Sequence, residues 1–320
     1  MLSTLLNSFA VRRSLVLAAL VLAALVPFAL SGYQAFQLSH LLIIFLALLG
    51  LNLLTGYAGQ LSLGHGAFMA LGAYTAVVLL NAFGLPWWAA VPSAGLLCFV
   101  VGLAFGWPAL RLQGPYLALA TFALALAVPQ ILKHAALSAW TGGVQGVNLA
   151  PIEAPGWWRF GQDHWFYLVC LSIAVLGFWL VDGLLRGRVG RAIVAIREQP
   201  IAAVAMGVNR AWITSIVFGI SAAVTGVAGA LGAFATQFVS PDSFHVFLSI
   251  SLLVGAIVGG LGMRAGPLFG ALFIQFIPKL AEQVSKAAPW AVYGVILMLI
   301  IYAAPGGLSE RVQYLWRKKQ

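Results

Sequence analysis

The sequence predicts an all-α fold, a polytopic membrane helical bundle of about 8–10 transmembrane helices, arranged as a single transmembrane domain over residues 1–320. Three observations carry that prediction. Hydrophobic residues make up 62% of the chain and charged residues 8%, whereas a soluble domain carries roughly 25% charged residues. Mean hydropathy is +1.00, and apolar runs recur at about the 20 residues a helix needs to cross roughly 30 Å of hydrocarbon. The net charge of +10 resides in short loops between these runs, a pattern that serves membrane orientation and excludes nucleic-acid binding.

Ten apolar runs can be placed, at 14–31, 40–56, 61–81, 86–107, 114–132, 164–182, 212–236, 244–262, 267–281 and 289–304. The first follows Arg12-Arg13 like a signal peptide. It is longer than a signal core, and Ser31-Gly32-Tyr33-Gln34 is a poor cleavage site, so a retained span is expected. The run 61–81 contains Gly64, Gly66 and Gly72, and 267–281 is short and ends at Pro278-Lys279. These two are expected to be the broken or re-entrant segments, if any are.

The segment 133–163, with Trp140, Thr141-Gly142-Gly143, Pro151, Pro155 and Trp157-Trp158, is expected as an ordered external loop. The segment 183–211 is arginine-rich. Its apolar residues at 192, 193, 196, 201, 204 and 205, broken by Pro200, predict short amphipathic helices on either side of a proline turn. With ten spans and both termini inside, Lys133, Arg159, Lys279 and Lys286 lie outside. The other 13 of the 17 basic residues lie inside (17 − 4 = 13), which places 183–211 in the cytoplasm.

Small residues recur at helical spacing in Gly255 and Gly259, in Gly262, Gly266 and Gly270, and in Gly226, Gly229 and Gly232, predicting close helix–helix packing. No G-x-x-x-x-G-K-[ST] loop occurs, so the chain does not hydrolyse ATP by that mechanism alone. Carboxylates fall in loops or at span ends, which disfavours an ion-coupled carrier. Cys98 and Cys170 read as packing residues, and no metal-ligand set is legible. Ser62 and His65 lack an orienting carboxylate, so helix-end hydrogen bonding is expected of His65 and no catalytic group is assigned. Uncharged polar residues remain within the spans, namely Asn52, Thr55, Gln60, Thr121, Gln130, Gln237 and Gln275. They are candidates for an uncharged solute pathway or for bonds between helices.

The stretch from Asn52 through Thr55-Gly56-Tyr57-Ala58-Gly59-Gln60-Leu61-Ser62-Leu63-Gly64-His65-Gly66 to Phe68 resembles the LivM-type permeases of branched-chain amino acid ABC importers. So do Gly114-Pro115-Tyr116, Thr141-Gly142-Gly143, Gly187-Arg188-Val189-Gly190-Arg191, Ser240-Pro241-Asp242-Ser243-Phe244, Gly259-Gly260-Leu261-Gly262 and Pro305-Gly306-Gly307-Leu308, in family order. The resemblance implies a permease subunit of the bacterial cytoplasmic (inner) membrane. Its partners would be a second related permease, two ATPase subunits carrying ATP and Mg, and an extracytoplasmic binding protein, with no cofactor in this chain. It also implies that Ala202, Ala203 and Gly207 belong to a helix that docks on the ATPase, with Arg191, Arg197 and Glu198 as supporting charged residues; Ile201 stands where the wider pattern has a glutamate. The solute expected is a branched-chain or related amino acid, with urea or another small amide as the alternative within the family. A passive channel or ion-coupled carrier is the alternative outside it.

Overall fold

A computed structural model describes residues 20–109, 112, 114–284 and 288–317. Residues 14–19 of the first expected span, and the basic residues Arg12, Arg13, Arg111, Lys286, Lys318 and Lys319, lie outside the described residues. Every other apolar run is helical. Besides the short helical segments Leu20–Ala29 and Ser138–Thr141, the helices in chain order are α1 (Gly32–Leu51), α2 (His65–Asn81), α3 (Trp87–Ala109), α4 (Pro115–Leu132), α5 (Gln162–Arg186), α6 (Arg188–Glu198), α7 (Pro200–Ala205), α8 (Arg210–Thr236), α9 (Val246–Gly259), α10 (Gly266–Val284), α11 (Pro289–Ala303) and α12 (Leu308–Arg317).

Among the described residues six segments are long and apolar enough to cross a membrane. A seventh is added if the bent pair Ala291–Ala303 and Leu308–Tyr314 counts as one span. The polytopic helical bundle is therefore the observed architecture. The run 61–81 forms a helix of 17 residues, His65–Asn81, whose first turn is buried.

Local chemistry sets the helix ends. Ser31 and Gln34 form a reciprocal capping box at the start of α1, each side chain accepting from the other's backbone N–H. The Asn209 side chain accepts from Trp212 N to open α8. Pro115 and Pro200 occupy first turns, where a missing N–H costs nothing. A π-helical turn, Asn52–Tyr57, closes α1.

Helix α8 is the central post, packed most extensively on α3, then α2 and α1. Contact is by backbone approach. A Cβ on Gly72 would stand 2.0 Å from the Gly226 carbonyl oxygen, and one on Gly229 equally close to that of Met69. In lipid, helices gain little from hiding apolar surface, so close contact and interhelical hydrogen bonds hold them together. The buried polar chain at this centre fits that rule. Ser62 Oγ lies 3.1 Å from His65 Nδ1, His65 Nε2 lies 2.8 Å from Ser221 Oγ, and Ser221 Oγ donates to the Gly50 carbonyl at 2.6 Å. The chain is satisfied throughout when His65 is neutral, donating from Nε2 and accepting at Nδ1. His65 thus takes the helix-end role the sequence gives it.

The 133–163 segment is ordered. Its two-residue strand β1 (Val147–Asn148) pairs antiparallel with β2 (Phe238–Val239), with Val147 opposite Val239. Trp158 packs against Phe28, Phe160, Trp157 and Trp165 in one aromatic cluster. Lys133 and Asp242 form an ion pair at 2.5 Å. Asp182 pairs with Arg186 at 2.5 Å and with Arg264 at 3.1 Å.

Candidate functional site

The segment 183–211 folds as the expected helical hairpin. Gly190 lets α6 press on the end of α5, since a Cβ there would lie 2.0 Å from the Leu185 carbonyl oxygen. Ile193 and Ile196 bury one face of α6. Pro200 ends α6 and starts α7, and Gly207, at φ +85°, turns the chain back toward α8. Ala203 is buried against the protein itself, whereas Ala202 and Gly207 are exposed. The exposed tip is apolar, with Ile201 at 87%, Val204 at 52% and Met206 at 86% exposure. Arg191 and Glu198 are also exposed and make no ion pair among the described residues. Arg197 is exposed as well, but its Nη1 donates to the Gly56 carbonyl at 2.6 Å.

That carbonyl lies where two interrupted helices meet. Asn52 bridges the π-helical turn of α1 to the α9–α10 link: its Oδ1 accepts from Gly262 N at 2.8 Å and its Nδ2 donates to the Met263 carbonyl at 3.0 Å. Thr55 donates to the Gln60 carbonyl, and Thr121 donates to Ala118 while accepting from Leu63 N. Of the seven candidate pathway residues, Asn52, Thr55 and Thr121 therefore act as struts for non-helical backbone. Gln60 is half-buried beside them, Gln130 is exposed on α4, and Gln237 caps α8 in the left-handed conformation, its carbonyl accepting from Leu149 N.

Gln275 has a different setting. Its Oε1 accepts from His40 Nδ1 at 3.0 Å, and His40 lines a cavity of about 850 Å³. α1, α2, α8, β2, the turn Pro241–Phe244, α9 and α10 enclose it. Aliphatic and aromatic walls (Ile43, Ile44, Phe244, Leu248, Leu252) are joined by the polar groups of His40, Thr236, Ser243, His245 and Ser251, and no Asp, Glu, Lys or Arg lines it among the described residues. Gly229 and Gly232 form part of the wall, and a Cβ on Gly232 would have slight contact, so this glycine widens the space more than it packs helices. The sequence reading missed His40, Thr236, Ser243, His245 and Ser251. The available signals were His40 at the head of an apolar run and the matched stretch Ser240-Pro241-Asp242-Ser243-Phe244.

Comparison with known proteins agrees with this architecture. The family model described as branched-chain amino acid transport system / permease component matches residues 33–304. The high-affinity branched-chain amino acid transport system permease protein LivM of Escherichia coli is 32% identical across 81% of this chain, which spans 66% of that relative's length. The corresponding protein BraD of Pseudomonas aeruginosa is 23% identical over 82% of this chain and 90% of its own. A probable permease LivH of Methanocaldococcus jannaschii is 26% identical over 82% and 85%. No solved structure matches. A family model that covers most of the helices just described, including the paired breaks and the cavity, decides the assignment: the chain belongs to the family of permease components of branched-chain amino acid transport systems.

Proposed function

We propose that this chain is one permease subunit of an ATP-driven importer that moves branched-chain or closely related amino acids across the bacterial cytoplasmic membrane. It pairs with a second, related permease, with two ATPase subunits that carry ATP and Mg on the face of the α6–α7 hairpin, and with a binding protein on the opposite face. Both termini lie on the hairpin side. The hairpin carries the reading: a rigidly anchored pair of short helices ends in the uncovered apolar side chains of Ile201, Val204 and Met206, a surface suited to a protein cleft. The occurrence of LivM-named and LivH-named relatives supports a second permease chain.

The solute route runs through the large cavity. Its uncharged lining suits a zwitterion, whose ends meet hydroxyl and imidazole groups while its aliphatic side chain lies on the apolar wall. A solute of net charge would stand there without a counter-ion, at a cost of several kcal/mol. The test is uptake of radiolabelled leucine by the reconstituted complex. ATP dependence with competition by valine and isoleucine is expected. Uptake without ATP, or competition by urea or lysine and none by valine, would overturn the proposal.

A further inference from the structure

Arg197 stands at the end of α6 as an exposed residue, yet one of its guanidinium nitrogens bonds to the permease's own backbone. The acceptor, the Gly56 carbonyl, belongs to the last turn of an interrupted helix, where carbonyls lack an intrahelical partner and favour a cation. The stem of the same side chain lies along Gly59, where a Cβ would stand 3.0 Å from Arg197 Cγ. On the far side the α1 break touches the α9–α10 break directly. A Cβ on Gly56 would lie 2.3 Å from Gly262 N, and one on Gly262 would lie 3.6 Å from Arg197 Nη1. Asn52 fastens the two breaks, and Arg264 Nε, in the second, is tied to Asp182 of α5 at 3.1 Å. One side chain of the hairpin thus reaches the point where both helix interruptions meet.

We infer that Arg197 is a positioning residue that transmits displacement of the α6–α7 hairpin to these paired breaks, and not a contact with the ATPase. Pushing the hairpin moves the Gly56 carbonyl, and through Asn52 it moves the α9–α10 link with it. Two helix ends then shift together while the helices on either side stay intact. A guanidinium suits this role because it keeps a donor on the carbonyl while its planar head slides between two glycines. The inference rests on the importer reading above.

The experiment uses the complete reconstituted complex with radiolabelled leucine and measures ATP hydrolysed per leucine imported. Two variants cut the link at different points. Arg197→Ala removes the donor, and Asn52→Ala cuts the tie between the two breaks. In both, the ATPase subunits are expected to copurify as in the wild type, uptake to fall at least tenfold, and the ATP-to-leucine ratio to rise at least tenfold. Arg197→Lys, which keeps a donor, is expected to recover part of the coupling. A general loss of fold lowers uptake and hydrolysis together and leaves the ratio flat. A wild-type ratio in both variants overturns the link, as does loss of ATPase copurification in Arg197→Ala. An inactive or ATP-independent wild-type complex overturns the importer reading itself.

Discussion

Gly72 lies where α2 crosses α8, and its hydrogen occupies space that no other side chain can share. A Cβ would sit 2.0 Å from the Gly226 carbonyl oxygen and 2.6 Å from its Cα, so backbone and not a mobile side chain would have to yield. Gly72→Ala is expected to destabilise the folded permease by about 1–3 kcal/mol, seen as a lower melting temperature in detergent. Gly183, with open space around its missing Cβ, is the control: Gly183→Ala is expected to be neutral or slightly stabilising. Such sites are partly legible, since glycines at helical spacing announce close packing. Which of them line a space instead is not, because Gly232 has the same spacing as Gly229 and a different neighbour. The polar residues show the same limit. Asn52 and Thr121 stand out as uncharged polar groups within spans, but their partners, Gly262 with Met263 and Leu63, lie 58 to 211 positions away and leave no local pattern.

At the scale of the element, the α6–α7 hairpin was legible from its apolar spacing and Pro200, while the direction each side chain faces was not. A six-residue helix, Pro200–Ala205, is too short for periodicity to separate its buried face from its exposed one. Ala203 faces inward, so Ala203→Trp is expected to disturb the hairpin's own packing, and the docking surface proposed above is expected at the exposed Ile201 and Met206 instead. Ile201→Asp is expected to weaken ATPase recruitment at least tenfold, about 1.4 kcal/mol, with the permease's melting temperature unchanged because the side chain is already exposed. Copurification measured against a folded-state assay checks it, and normal recruitment would remove the tip from the interface.

For the whole molecule, the apolar runs were sufficient to read a helical membrane bundle, whereas the ion pairs of Lys133 with Asp242 and of Arg264 with Asp182 join residues far apart in the chain and leave no local pattern. The cavity was not legible, because it is formed by segments scattered from His40 to Ile274 that no stretch of sequence joins. Orientation has a direct check. Ser138→Cys and Gln199→Cys introduce exposed thiols on the two opposed loops, and the native Cys98 and Cys170 are buried. A membrane-impermeant thiol reagent is expected to label position 138 on intact cells and position 199 only after permeabilisation; labelling of both, or of 199 alone, would overturn the topology. The central position of α8 also bears on how the chain is made. His65 waits for Ser221, 156 residues later, and at about 5–20 residues per second of synthesis that delay is roughly 8–30 s. Throughout it, Gly50, His65 and Gly72 lack the helix that covers them in the finished fold, so the close contacts of this centre form only when α8 arrives.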